Sequence, residues 1–213
     1  MALCDLCASV VKGFSRMATR YEIRLAGSGG QGLILAGVIL AEAAGIYDGK
    51  FVCQTQSYGP AARGGASKAE VVISDAEIDY PKAIRPDVLL ALNQTSLDKY
   101  LGDLKPGGVL LVDADLVREV PVEGAVTIPF THLARELGKE MMANIVALGA
   151  LVVITEAVSA EGLQQAVLAR VPPQTREMNQ KALEAGMAAA DRYLTQSRSS
   201  PEELAVNQGE SEL

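Results

Sequence analysis

Between a strand-like run and a long apolar segment the chain places Gly27-Ser28-Gly29-Gly30-Gln31-Gly32. Before this loop, Tyr21-Glu22-Ile23-Arg24-Leu25 alternates apolar and polar side chains as a strand does. After it, Leu33 to Ala44 is almost continuously apolar, with small residues at Ala36, Gly37 and Ala41. Small side chains let a helix approach a sheet closely, and the lack of a polar face predicts a helix buried on most sides. A strand, a tight glycine turn and a buried helix in that order is the opening unit of an α/β fold.

The rest of the chain agrees. Hydrophobic residues make up 49% of 213, but aromatics only 4%, and Trp is absent. The core is therefore built from Ala, Val, Leu and Ile, which suits closely packed α/β layers better than an aromatic-rich sandwich. Further strands are expected at Phe51–Ser57, Lys68–Ser74, Asp87–Leu92, Val109–Val112 and Ala125–Pro129. Helices are expected at Thr95–Leu101, Thr131–Leu137, Met141–Glu156, Ala160–Arg170 and Thr175–Leu194. The third strand follows the second through a Pro/Gly turn with no helix between them. The pattern predicts a mainly parallel, twisted, Rossmann-like sheet with helices on both faces, and a ligand-facing edge at the carboxyl ends of its strands. Residues 1–20 read as a flexible leader, 21–194 as the folded domain and 195–213 as a disordered acidic tail carrying Glu202, Glu203, Glu210 and Glu212.

Several function classes are excluded at this level. A formal net charge of −7 and the absence of a basic stripe argue against nucleic acid as a partner. The most apolar stretch, Ile145 to Ala157, is shorter than a membrane span and reads as a core helix. Residues 1–20 lack the features of a secretory signal, so a cytoplasmic location is expected. Cys4 and Cys7 form a lone C-x-x-C and Cys53 falls in a strand, so no four-thiolate metal or cluster site is expected within this chain. No constellation of nucleophile and base is visible, and no catalytic residue is assigned. His132, the single histidine, reads as structural, and Asp113 and Asp115 read as loop and cap ligands at a strand end. Asn144 falls on an apolar helix, where its amide must find a partner; a brace to the sheet or to the glycine loop is the expected role.

Gly27-x-Gly29-x-x-Gly32 satisfies the dinucleotide fingerprint formally. The second strand, however, ends in Gln54-Thr55-Gln56-Ser57, with no carboxylate for a ribose, and Asp48 lies before it. Three readings stay open: glycines that serve packing alone, an anion site at the helix N-terminus, or a loop facing a partner's cofactor. Gln31 is placed in the first helical turn, where its amide either reaches a ligand or neighbouring subunit or braces the loop. A second bend, Ser57-Tyr58-Gly59-Pro60-Ala61-Ala62-Arg63-Gly64-Gly65, is stiffened by its proline and carries one arginine. The fork of Arg63 suits phosphate or carboxylate, a solvated surface arginine being the alternative. Tyr58 is either an interface anchor or a packed turn residue.

At these two bends the sequence resembles the gamma subunit of the 2-oxoacid:ferredoxin oxidoreductases, whose family includes the corresponding domain (domain III) of pyruvate:ferredoxin oxidoreductase. Asn144-Ile-Val-Ala-Leu-Gly149 and Asn179-Gln-Lys-Ala-Leu-Glu-Ala-Gly186 resemble two later motifs, and the resemblance runs from about Tyr21 to Leu194. It implies a share in the CoA-dependent oxidative decarboxylation of a 2-oxoacid to an acyl-CoA, carbon dioxide and reduced ferredoxin. It implies alpha and beta subunits as partners, with a ferredoxin-like delta subunit in some assemblies, and ferredoxin as electron acceptor. Thiamine diphosphate, Mg2+ and iron–sulfur clusters would belong to those other subunits. The chain lacks a Gly-Asp-Gly thiamine motif and a ferredoxin-like cysteine run. By the same resemblance Gly27, Ser28, Gly29, Gly30, Gln31, Gly32, Ser57, Tyr58, Gly59, Arg63 and Gly64 would face CoA or a partner's cofactor. Gly32-Leu-Ile-Leu-Ala-Gly37 looks most like the 2-oxoglutarate branch, with pyruvate and 2-oxoisovalerate as alternatives. Outside this family, a stand-alone nucleotide-binding oxidoreductase and a structural adaptor remain as competing classes.

Overall fold

The computed structural model describes residues 20–57 and 66–206. The first strand, β1 (Tyr21–Ser28), turns through the glycine loop into α1 (Leu33–Glu42), which ends in a π-helical turn at Ala43–Tyr47. A hairpin follows, β2 (Phe51–Ser57) and β3 (Ala66–Ser74), then β4 (Val88–Ala91) and α2 (Gln94–Tyr100). β5 (Val109–Asp113), β6 (Val126–Ile128) and α3 (Phe130–Glu136) lead to three closing helices, α4 (Ala143–Thr155), α5 (Ala160–Arg170) and α6 (Arg176–Val206).

The six described strands form one sheet in the order β2-β3-β1-β4-β5-β6. The pairings β1–β4, β4–β5 and β5–β6 are parallel, while β1–β3 and β2–β3 are antiparallel. The sheet is thus mixed as well as mostly parallel. A parallel return needs a crossover of a dozen or more residues, and the eight residues 58–65 between β2 and β3 allow only a hairpin.

Alternation along β1 divides the core into two layers. Tyr21, Ile23 and Leu25 enter a large apolar cluster with residues of α1, α3, α4, α5 and α6. Ala26 enters a smaller one with Leu89, Ala91, Leu110 and Val112, capped by Leu97 and Tyr100 of α2. Helices therefore cover both faces, unequally. On the α2 side, toward β3, the sheet buries charge instead: Arg24 (2% exposed) bonds Glu70 (4% exposed) at 2.8 Å, Lys68 bonds the same carboxylate at 2.6 Å, and Arg24 lies 5.2 Å from the Tyr100 ring centroid. Removing one member would strand a buried charge.

Two glycines fix how the closing helices meet. A Cβ on Gly186 would lie 1.9 Å from the Val146 carbonyl oxygen, and one on Gly149 2.2 Å from the Leu183 carbonyl oxygen. α4 and α6 cross backbone to backbone. The close approach expected of α1 is realised at Gly37, where a Cβ would sit 2.7 Å from that of Ala69.

α6 runs on to Val206, past the Leu194 where the sequence reading ends it. Glu202, Glu203, Leu204 and Ala205 favour helix, whereas Pro201 between them and Leu194 is the residue that argues for an earlier stop. The remaining tail residues 207–213, and the leader 1–19 with Cys4 and Cys7, lie outside the described residues.

Candidate functional site

The carboxyl ends of β1, β4 and β5 point to one edge of the sheet, and Ser57 and Ala66, which bound the second bend, lie at the same edge. The register sets Ser28 opposite Ala66, Gly27 opposite Ser67 and Ser57 opposite Lys68. Of the residues bounding the second bend, Ala66 thus lies beside the end of β1 and Ser57 one strand further out on the same edge. Ser57 is exposed at the end of β2, and the Ser67 hydroxyl donates to the Gly27 carbonyl at 3.4 Å. Tyr58, Gly59, Arg63 and Gly64 lie outside the described residues.

The glycine loop itself is well defined. A Cβ at Gly27 would meet the Gln31 Oε1 at 2.5 Å and the Leu33 Cδ1 at 2.8 Å, so a side chain there would have to displace the Gln31 amide. Gly29 and Gly30 form an exposed apex, with nothing within 4 Å of where a Cβ would stand. Gly32 has φ +70°, a left-handed conformation that favours glycine, and a Cβ there would sit 2.5 Å from the Asn144 Nδ2.

That conformation moves Gln31. The sequence placed it in the first helical turn, whereas it lies in the turn before the helix: left-handed Gly32 is the N-cap, so α1 begins at Leu33. The Gln31 Oε1 accepts from the Ser28 N–H at 2.6 Å, and its Nε2 donates to the Leu92 carbonyl at 3.3 Å. The side chain braces the loop against β4. Gly32 offers no side-chain cap to the first-turn amides of α1.

Two asparagines complete the bracing. Asn144 Nδ2 donates to the Gly32 carbonyl at 3.0 Å, the brace expected of it. Asn93, which the sequence reading passed over, donates through Nδ2 to the Ser28 Oγ at 2.5 Å and caps α2 by accepting from the Ser96 N–H at 2.8 Å. An asparagine before a helix signals the cap, but nothing local signals the second bond, made to a residue 65 positions away.

Asp113, at the end of β5, is fully buried and accepts from Thr131 N–H at 3.2 Å, Thr131 Oγ1 at 2.5 Å and Asp115 N–H at 3.1 Å. Burial raises its carboxyl above the ordinary range, against the lowering by these hydrogen bonds. Asp115 accepts from the His132 N–H at 2.5 Å, so both carboxylates tie down the start of α3, the role expected of them. The His132 ring is exposed, with its Nε2 3.4 Å from Glu136.

Among the described residues no group of three or more His, Cys, Asp or Glu side chains is placed to hold a metal, and the one described cysteine, Cys53, is free. No described helix is long and apolar enough to cross a membrane. The described part of the edge offers backbone donors, carboxamides and the Ser28 and Ser57 hydroxyls, groups that can bind and orient a ligand.

Comparison with known proteins adds the following. The family model described as pyruvate ferredoxin/flavodoxin oxidoreductase matches residues 22–189. The "2-oxoglutarate synthase subunit KorC" of Methanocaldococcus jannaschii is 54% identical over 181 residues, covering 82% of this chain and 96% of that protein. The crystal structure of the keto/oxoacid ferredoxin oxidoreductase gamma subunit from Geobacter sulfurreducens superposes with a TM-score of 0.75 at 53% identity, covering 83% of this chain and 99% of that one. A 2-oxoglutarate:ferredoxin oxidoreductase from Magnetococcus marinus, solved with 2-oxoglutarate, coenzyme A and succinyl-CoA bound, matches with a TM-score of 0.73 at 25% identity; 82% of this chain aligns to 32% of that longer one.

Proposed function

The chain belongs to the pyruvate ferredoxin/flavodoxin oxidoreductase family, and on that premise we propose that it is the gamma subunit of a 2-oxoglutarate:ferredoxin oxidoreductase. The observation that carries the substrate is the 54% identity, over nearly the whole length of the relative, to a protein named for 2-oxoglutarate. The complex converts 2-oxoglutarate and CoA to succinyl-CoA and carbon dioxide, and the two electrons released pass to ferredoxin.

Thiamine diphosphate, with Mg2+, supplies the electron sink for decarboxylation when bound, and iron–sulfur clusters carry the electrons. The described residues of this chain do not fit either group, for want of a metal-ligating cluster and of cysteines beyond Cys53. Alpha and beta subunits hold them. The part left to this chain is to shape one wall of the site and to grip CoA. Gly27–Gly32 approaches through backbone donors, and Arg63, in the bend that leaves the same sheet edge, pairs with a CoA phosphate. The shared edge supports this assignment, since Ala66, where the chain leaves that bend, pairs with Ser28, and Ser57, where it enters, lies one strand further out.

The test is reconstitution. The chain is co-expressed with its alpha and beta partners, and ferredoxin reduction is followed with each 2-oxoacid. The expected result is CoA-dependent turnover with 2-oxoglutarate far above that with pyruvate or 2-oxoisovalerate, and none from the isolated chain. A preference for pyruvate, or full activity without this chain, would overturn the proposal. Arg63→Ala should raise the KM for CoA; an unchanged KM would reduce the second bend to packing.

A further inference from the structure

Three side-chain carboxamides from separate parts of the chain converge on the glycine loop: Gln31 from the loop, Asn93 from the start of α2 and Asn144 from the start of α4. We infer that Asn93 and Asn144 are positioning residues that hold this loop in its CoA-facing pose, an inference that rests on the reading of the loop given above.

A loop with glycine at 27, 29, 30 and 32 has many accessible conformations, and fixing one of them costs conformational entropy. The fold meets that cost from both layers. α2 is packed in the smaller cluster on one face of the sheet, and α4 in the larger cluster on the other. Asn93 reaches the loop from the first, donating to Ser28 Oγ at 2.5 Å and more weakly to Gln31 Oε1 at 3.5 Å. Asn144, 4% exposed, reaches it from the second, donating to the Gly32 carbonyl at 3.0 Å. The bare apex, Gly29–Gly30, lies between these two anchors. Being carboxamides, the anchors carry no charge to titrate and none to be desolvated.

In both asparagines the two polar atoms have divided duties. Each Oδ1 serves its own helix, accepting from Ser96 N–H at 2.8 Å or from Ile145 N–H at 2.9 Å. Each Nδ2 grips the loop. Asn144→Asp therefore keeps the shape and the helix contact while turning an oxygen toward the Gly32 carbonyl; at position 93 a carboxylate could still accept from the Ser28 hydroxyl, so Asn93→Ser, which keeps a capping oxygen and lacks the amide, removes that grip.

Asn93→Ser and Asn144→Asp are made in the full chain and assembled with the other subunits; Asn144→Ala serves if the buried aspartate prevents folding. Two readouts are taken: hydrogen exchange of the amides of residues 28–33 in the full chain, and kcat and KM for CoA in the complex. The expected result is roughly tenfold faster exchange confined to the loop, with KM for CoA raised roughly tenfold or more and kcat within about twofold. Loop exchange as slow as in the parent chain overturns the inference. So does faster exchange with an unchanged KM, and Arg63→Ala in the same assay then separates the two levels. If Arg63→Ala raises KM, the CoA-facing reading of this edge stands and only the role of the asparagines falls; if it does not, both fall.

Discussion

Gly29 and Gly32 sit in one loop and differ in why they are glycine. At Gly32 the backbone is left-handed and the Asn144 amide fills the space of a side chain. Gly32→Ala is expected to destabilise the isolated chain by about 1–3 kcal/mol, read from urea unfolding. Nothing within the described chain crowds Gly29, and its φ is not left-handed. Gly29→Ala should leave the isolated chain as stable as the parent, or more so by about 0.4–1 kcal/mol, because it restricts the unfolded state. On the CoA-facing reading proposed above, the same change should raise the KM for CoA in the complex, since the added methyl would stand at the exposed apex. An unchanged KM would mean that nothing comes close at this apex. Asp113 makes a prediction of opposite kind. Its carboxyl is raised by burial, so the folded state holds its proton to higher pH than the unfolded state does. Its contribution is therefore fully present at low pH and is lost as pH rises from about 4 through the raised value. Measured by urea unfolding from pH 4 to 7, the stability of the parent relative to Asp113→Asn should fall as pH rises; a flat difference would contradict the burial argument.

At the scale of elements, the motif glycines at 149 and 186 turn out to be points of helix contact. The closest approaches are to the backbones of α6 and α4, and a backbone cannot swing aside as a side chain can. Gly186→Ala should cost about 1–3 kcal/mol or more, seen as a lowered urea midpoint with an unchanged slope. The hairpin shows how an element's direction depends on what joins it to the next. The sequence reading had the right strands and saw no helix between β2 and β3, and the antiparallel pairing of β3 with both neighbours follows from that short connection. At the end of α1 the apolar run hides a boundary. The helix stops at Glu42 and a π-turn carries the chain to Asp48. There the Asp48 carboxylate accepts from the Ser159 N–H at 2.7 Å, fastening the start of α5 to the end of α1 across 111 residues. Distance along the chain kept that contact out of any local pattern.

For the molecule as a whole, the two faces of the sheet are covered unequally, and the glycine loop lies at the edge where both layers reach it. One face carries five helices and the larger core, while α2 alone closes the other among the described residues. The described core is built from this chain's own apolar side chains, so the isolated chain should unfold in one cooperative transition. Thiamine diphosphate with Mg2+ should leave its melting temperature unchanged, because a ligand stabilises only the chain that binds it. A rise of several degrees would place part of the thiamine site here and undo the division of labour proposed above.

The amino-acid sequence by itself determined the local terms. Alternation marked the strands, small residues marked the buried helix, and the glycines marked the bend, because each of these signals is carried within a few neighbouring residues. The resemblance of four ordered motifs was legible for the same reason. Only the tertiary structure decided that Gln31 braces the loop, that Asn93 grips Ser28, and that both bends leave one edge. Those outcomes depend on strand register and on the packing of α2, which bring together residues separated by up to 65 positions. A side chain's capacity to hydrogen-bond is written in its identity, but its partner is chosen by the fold.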